Sequence, residues 1–348
     1  MNVLTKELAL QMPLNLGASK SGIAVNETLK GPHTSDLEYV LPGARSAIVF
    51  CVPFDQNLID SFFAKKSFEL NENKVRTTTF AAGIAFEIST VLTSLGYKTY
   101  PVAPNFAFRT ETPNGIFDRI PPISLKFLAR ASGIGHIAQS GLLINKEHGA
   151  AFSLGAVVTD AVLEPTYPLP EDESYCDRCG MCGKVCVADH INKGIVEMRL
   201  GEETIRGGNC RLPARCAYPC GGLTGLHKSG EWSTWSPGRF PLPEDDEEYR
   251  TISRKYVQQY LQRNREGAMC YNPLLAYPFE MQYTCCNCQF VCHPDIEIRK
   301  KRYELLKNSG VVVEGPDGKN CVVTRKEADE IIAKMPDERR RLFIDGSV

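Results

Sequence analysis

Residues 176–186 read Cys176-Asp-Arg-Cys179-Gly-Met-Cys182-Gly-Lys-Val-Cys186, and their spacing, C-x2-C-x2-C-x3-C, decides how this part of the chain folds. Gaps of two residues turn three sulfurs toward one small volume, as a cubane 4Fe–4S cluster requires. The fourth cysteine, three residues on, begins the next element and points away. A partial copy stands at Cys285, Cys288 and Cys292. Where one chain holds two such clusters, the last cysteine of each run serves the other cluster. The spacing therefore predicts one cluster on Cys176, Cys179, Cys182 and Cys292, and a second on Cys186, Cys285 and Cys288. The second lacks a fourth ligand, to be drawn from Cys210, Cys216, Cys220, Cys270 and Cys286. Cys210 is preferred because it sits a short helix length after the first motif, and Cys270 comes next. Cys286 is a poor choice, since its neighbour Cys285 already keeps the gap to Cys288 and adjacent side chains diverge. Zinc would favour paired C-x2-C knuckles over a four-cysteine run. The proline usual after such a run is missing: Val187 follows Cys186, and His293-Pro294 follows Cys292.

The chain has 348 residues, 43% of them hydrophobic, which is enough for one large or two ordinary domains. No apolar run approaches the ~20 residues of a membrane span. The N-terminus, Met1-Asn-Val-Leu-Thr-Lys6, has no twin-arginine signal and no long apolar stretch, so a cytoplasmic protein without a membrane span is expected. Fourteen cysteines in that setting fit clusters better than disulfides. A net charge of −1 offers no global attraction to nucleic acid. The basic run Arg299-Lys-Lys-Arg302 reads as a solvated helix face.

The organisation follows from periodicity. Residues 1–30 read as a short helix and a Gly-rich turn. Ala47-Ile-Val-Phe-Cys-Val52 is a continuous apolar run suited to a strand buried on both faces. Phe80, Ile84, Ile88, Val91, Leu92 and Leu95 mark a helix over 77–95, stopped by Gly96. A strand (97–102), a helix (122–131) and two strands (141–144 and 152–159) follow, giving an α/β first half. A Pro-rich acidic linker, Glu164-Pro-Thr-Tyr-Pro-Leu-Pro-Glu-Asp-Glu173, leads into the cysteine-rich region. Residues 201–250 read as a polar, loop-rich insert. Beyond it come a helix (297–307), a hairpin around Pro316-Asp-Gly318 and a charged helix (325–340). The resulting division is 1–170, 171–296 and 297–348.

Two clusters alone need only about sixty residues, so the first half is expected to hold a second redox centre. No G-x-G-x-x-G follows a strand and no P-loop appears, which leaves dinucleotide binding unsupported. Gly133, Gly135 and Gly141 lie between helix and strand in Ala131-Ser-Gly-Ile-Gly-His-Ile-Ala-Gln-Ser-Gly-Leu-Leu-Ile144. Glycine lets backbone approach a flat, bulky ligand.

The order of these segments resembles the family of epoxyqueuosine reductases and reductive dehalogenases. The similarity runs from Leu41-Pro-Gly-Ala-Arg-Ser-Ala-Ile-Val-Phe50 through Ser132–Ile144, Leu154-Gly-Ala-Val-Val-Thr-Asp160 and the cluster motif to Cys285-Cys-Asn-Cys-Gln-Phe-Val-Cys292. It covers roughly residues 30–295. The resemblance implies a nitroreductase-like α/β (α+β) domain holding cobalamin, followed by a ferredoxin-like domain with two 4Fe–4S clusters. It also implies that Gly133, Gly135, His136, Gly141 and Leu142 contact the corrinoid, and that no protein imidazole binds the cobalt. The function implied is reduction of a C–O or C–halogen function by a corrinoid cobalt fed through the clusters. Electrons would come from an external low-potential donor of ferredoxin or flavodoxin type. Asp118, in Phe117-Asp-Arg-Ile-Pro-Pro122, is the implied proton donor, one residue out of the family register. Tyr97, Tyr100 and Arg109 are the counterparts offered for a tyrosine acid held by a base. The chain lacks the C-terminal helical-repeat extension frequent in epoxyqueuosine reductases. A small-molecule substrate is therefore expected over tRNA. An electron-transfer module serving a partner's corrinoid or flavin, and a flavin-bearing iron–sulfur reductase, are the competing readings.

Overall fold

The computed structural model describes residues 4–104, 107–263 and 284–345. Cys270 lies outside them. The centre is a four-stranded sheet: β1 (Lys20–Val25), β2 (Ser46–Pro53), β3 (Thr99–Val102) and β4 (Phe152–Thr159), ordered β1, β2, β4, β3. Every neighbouring pair is antiparallel. The helix Glu69–Ser94 joins β2 to β3, which run in the same direction, but β4 fills the gap between them. The alternation read from the sequence is therefore present in the order of elements, while the sheet itself is of α+β type.

The run from Ala47 to Val52 divides between two faces, as a period of two demands. Ala47, Val49 and Cys51 join Val102, Ala156, Val158, Leu128 and Leu143 on one side. Ile48, Phe50 and Val52 meet Ile23, Ala81, Ile84, Ile88, Leu92 and Val157 on the other, against the long helix. That helix begins eight residues before its apolar periodicity does, because its first turns bury Asn71 and Lys74 beside Leu70 and Val75. Polar side chains at buried positions hid them from a hydrophobic reading. The strand β1 was also hidden in the expected Gly-rich turn. Gly22 is required there, since a Cβ would lie 2.3 Å from the Ser132 carbonyl.

Residues 201–250 are more ordered than their polarity suggests. Ile191–Leu200 and Glu203–Cys210 form an antiparallel hairpin, and Pro213–Cys220 and Asp246–Leu261 are helices. Leu200 and Ile205 of the hairpin are buried in the core under the sheet. Gly208 packs so closely that a Cβ would lie 1.8 Å from the Gln139 carbonyl. The charged C-terminal helix breaks into Arg325–Ala333 and Asp337–Arg340 at Pro336, which cannot supply the N–H a continuous helix needs. The helix Ile296–Lys307 and the hairpin Val311–Glu314/Asn320–Val323 lie where the sequence places them.

A third core ties the first half to the cysteine region. Phe54, Phe62, Phe63 and Leu70 pack with Val185, Trp232, Phe290, Val291 and Leu306. Phe62 stands edge-on to Phe290, with centroids 5.7 Å apart, and contacts Trp235 at the same separation. Among the described residues, no helix is long and apolar enough to cross a membrane.

Lys65 ends the turn after Phe63, is 7% exposed, and bonds through Nζ to the Ser309 hydroxyl. Burial, with Arg239 nearby, brings its pKa down from 10.5 to about 7. Between these values the unfolded chain holds a proton that the folded chain has released, so stability rises with pH across this window. Lys65→Met removes that contribution. Wild-type stability, measured by denaturant unfolding and taken relative to the variant, should climb between pH 7 and pH 9 by at most about 1.4 kcal/mol per unit. A constant difference would contradict the burial argument.

Candidate functional site

Both cysteine motifs sit on loops that enter short helices, Met181–Lys184 and Asn287–Val291, and these helices pack together. Each helix is preceded by a left-handed residue, Gly180 and Cys286, both at φ 75°. That kink turns the sulfurs on either side of it toward one point.

The first set is closed. Cys176, Cys179, Cys182 and Cys292 line one small void, with Tyr175, Gln139, Met181 and Arg299 around it. Burial pushes the Cys182 thiol up to about 12, reinforced by Cys292, Cys176 and Cys179. Burial likewise takes Cys292 to about 11. Hydrogen-bond donors face these sulfurs: the Gln139 N–H is 3.5 Å from Cys176 Sγ, and the Tyr175 hydroxyl is 3.3 Å from Cys292 Sγ. Arg299 reaches the Cys179 sulfur and is anchored on Asp177 at 2.7 Å.

The second set forms at the far ends of the two motifs. Burial pushes the thiols of Cys285 and Cys288 up, and the other sulfurs that do so are Cys186, Cys216 and Cys286. Cys216 is raised to about 12 by burial, then by Cys186 and Cys286. The protein surrounds Cys216, and its exposed face opens into a cavity that it lines. The His190 N–H lies 3.2 Å from Cys186 Sγ. Cys186, Cys216, Cys285 and Cys288 thus lie near enough to perturb one another, with Cys286 among them. Cys210, the expected ligand, also stands on the cavity wall, 3.3 Å from the Ser140 carbonyl, close to Lys126 and within electrostatic reach of Cys186. Cys220 and Cys286 lie beside the second set with sulfurs 3.8 Å apart, and Lys74 Nζ is 2.5 Å from Cys286 Sγ. Among the described residues, no three His, Cys, Asp or Glu side chains group as a single metal ion would need. A cubane spreads its thiolates over a wider frame than one ion does, so the sulfur-only donor sets fit a cluster better than zinc.

The cavity, about 750 Å³, lies between the sheet, the hairpin Ile191–Cys210 and the helix Pro213–Cys220. Apolar walls come from Tyr100, Val102, Phe152, Leu154 and Met198. Lys74, Arg119, Lys126, Arg211 and His190 also line it, and none of its described lining residues is Asp or Glu. Lys126 Nζ donates to the Gly141 carbonyl at 2.7 Å. Burial pulls the Lys126 pKa down.

Of the residues expected at a ligand, Gly141 and Leu142 line this cavity. Gly133 and Gly135 serve chain packing instead, where a Cβ would lie 2.4 Å from the Tyr167 carbonyl and 2.1 Å from the Ile144 carbonyl. His136 is 4% exposed, and its Nε2 bonds the Pro170 carbonyl at 2.8 Å. Asp118 accepts from the Asn114 N–H at 3.0 Å and from Asn114 Nδ2 at 2.9 Å, and is not among the cavity-lining residues. Tyr100 reaches the cavity. Tyr97 meets the Leu4 N–H at 3.1 Å, and Arg109 binds the Pro121 and Pro122 carbonyls. The cations Lys74 and Lys126 escaped the sequence reading because isolated lysines on helices carry no local signal.

No protein-family model matches the chain. The epoxyqueuosine reductase of Gloeobacter violaceus is 27% identical over 191 residues, 53% of this chain and 54% of the relative. That of Francisella cf. novicida is 23% identical over 184 residues, 49% of each. The chain spans about half the length of the curated relatives it matches. Among solved structures, an epoxyqueuosine reductase with an epoxyqueuosine-modified tRNA stem loop aligns at 16% identity and TM-score 0.41, over 84% of this chain and 68% of that one. These comparisons agree with the resemblance read from the motifs: about half of the chain is similar to epoxyqueuosine reductases. The expectation of a small molecule over tRNA gains no support from them.

Gly141 has φ 70°, and a Cβ there would lie 2.8 Å from Cys210 Sγ. Gly141→Ala should destabilise the fold by about 1–3 kcal/mol. Adding Cys210→Ala should recover the steric part of that loss and leave the backbone part. Strictly additive unfolding energies would show that the two residues do not meet.

Proposed function

We propose that this chain is an iron–sulfur reductase that uses a corrinoid to reduce a C–O or C–halogen function. What supports the reading is that two groups of cysteine sulfurs lie in one region and that Cys216, near the second, also lines a cavity of about 750 Å³. That volume falls in the upper part of the ~300–1,000 Å³ range of ligand sites. In this proposal residues 1–170 form a nitroreductase-like body for the corrinoid. Residues 171–296 form a ferredoxin-like carrier of the clusters, and residues 297–348 form a tail.

Cys176, Cys179, Cys182 and Cys292 would hold one cluster, and Cys186, Cys216, Cys285 and Cys288 the other, with Cys216 taking the place expected of Cys210. Bound there, the clusters would supply single electrons, and a corrinoid in the cavity a strongly reducing cobalt. The protein's part is to position and tune. Tyr175, Arg299 and the Gln139 N–H offer hydrogen bonds to the first sulfur set, which favours its more negative, reduced form. Gly141 and Leu142 present backbone and an apolar side chain to the ligand, and the apolar wall excludes water from it. Lys74, Arg119, Lys126 and Arg211 attract anionic groups. No described cavity-lining residue is Asp or Glu, so we do not assign proton delivery to Asp118. The electron donor is proposed to be an external low-potential protein of ferredoxin or flavodoxin type.

Protein purified or reconstituted without oxygen should carry about eight irons and take up a corrinoid, read from absorbance and mass spectra. Clusters with no organic cofactor would favour the electron-transfer reading, and a flavin spectrum would replace the corrinoid. Turnover of epoxyqueuosine tRNA or of an organohalide with a chemical reductant then separates the two substrate classes. Cys216→Ala should lose about half of the iron, while Cys210→Ala keeps it. The reverse pattern would restore Cys210 as the ligand.

Tyr175→Phe removes a donor to Cys292 Sγ. One of two reductive transitions in an anaerobic redox titration should move to more negative potential. Two unmoved transitions would show that the hydroxyl does not act on a cluster.

A further inference from the structure

The two motifs align in register, Cys179-Gly180-Met181-Cys182 with Cys285-Cys286-Asn287-Cys288. Both second residues are left-handed, at φ 75°. Glycine accepts that conformation freely, whereas a residue with a Cβ does not. The second motif nevertheless puts a cysteine there.

The Cys286 side chain is held from two sides. Lys74, from the helix Glu69–Ser94, places Nζ 2.5 Å from its sulfur. Cys220, the last residue of the helix Pro213–Cys220, places its own sulfur 3.8 Å away. The backbone clamps the two segments together. Thr284 N–H donates to the Cys220 carbonyl at 2.9 Å, and the Thr284 hydroxyl donates to the Pro219 carbonyl at 2.9 Å. Lys74 and Cys220 both line the large cavity, which gives a small reagent access to the pair. Neither sulfur belongs to the eight assigned above.

We propose that Cys220 and Cys286 are a reversible dithiol–disulfide pair that reacts with hydroperoxides. The Cys286 sulfur attacks the distal oxygen of the peroxide. The O–O bond breaks, the thiol becomes a sulfenic acid, and one alcohol leaves, or water where the oxidant is hydrogen peroxide. Cys220 then attacks that sulfur, the S–O bond breaks, water leaves, and the disulfide forms. The peroxide accepts two electrons in all, and the thiols supply two protons. The gap closes from 3.8 Å to the ~2.05 Å of a disulfide by side-chain rotation, with the backbone already tethered. A small-molecule dithiol returns the electrons and protons.

The inference rests on the ligand assignment only in leaving these two sulfurs outside it, and iron analysis reads that assignment separately. Full-length protein, reconstituted without oxygen, is given one equivalent of hydrogen peroxide and then alkylated and digested. The expected product joins the peptide carrying Cys220 to that carrying Cys286, with loss of two hydrogens, unchanged iron, and reversal by dithiothreitol. In Cys220→Ser, dimedone should capture a sulfenic acid at Cys286. Iron loss without the cross-link, or a cross-link to another cysteine, would overturn the proposal. Untreated protein with far fewer irons but a normal cross-link would instead sink the cluster reading alone.

Discussion

Thiols gathered into a low-dielectric volume cannot all ionise unless a positive centre joins them, and the cysteine region of this protein is organised by that constraint. Burial and mutual repulsion both hold Cys182, Cys216, Cys285 and Cys288 in their neutral forms. The protein supplies little compensating charge of its own at these sulfurs: Arg299 stands at the first set, and Lys74 near the second is engaged by Cys286. An iron–sulfur cube, as proposed, would resolve the conflict by replacing each proton with a metal bond. The segments that carry the sulfurs are then shaped by packing instead of propensity. The helices Met181–Lys184 and Asn287–Val291 are one turn each and are set in place by the aromatic core of Phe62, Trp232 and Phe290.

That core explains why the sheet half and the cysteine half make one working unit. Phe290 lies between Cys288 and Cys292, so the residue that packs against Phe54 and Phe62 also fixes sulfurs of both sets. Movement of the Ile59–Phe63 turn would be felt at these sulfurs. The hairpin acts from the other side, where Leu200 and Ile205 enter the core beneath β2 and β4 while Cys210 closes the cavity wall.

What was legible in the sequence was local. The gaps in 176–186 prescribe converging sulfurs, and the continuous apolar run 47–52 prescribes a strand buried on both faces, because each depends only on neighbouring residues. The fourth sulfur of the second set was not legible. Cys210 and Cys216 are both near the motif in sequence and both feel Cys186; what distinguishes them is a strand end that sets Cys210 against the Ser140 carbonyl and a helix that sets Cys216 near Cys285 and Cys288 as well. The antiparallel sheet was hidden for a similar reason: helix-joined strands read alike whether they are neighbours or admit a third strand between them. His136 and the glycines at 133 and 135 form a conspicuous run, yet the structure uses them where chains cross closely. A glycine-rich loop records close approach without saying whether to a ligand or to backbone.

The cavity shows why position, not overall charge, bears on ligand choice. A chain of net charge −1 has no long-range preference for anions. Its 41 acidic residues are nevertheless absent from the described wall, while two lysines and two arginines stand on it. In a space flanked by apolar side chains, such cations are poorly screened and act at short range. They favour a ligand whose negative groups reach the rim while its bulk fills the apolar interior. Gly141 supports the same division, because any side chain there would be driven into Cys210 and narrow the floor. The composition of the whole chain therefore says little about what this site accepts, and the arrangement of five side chains from separate elements says more.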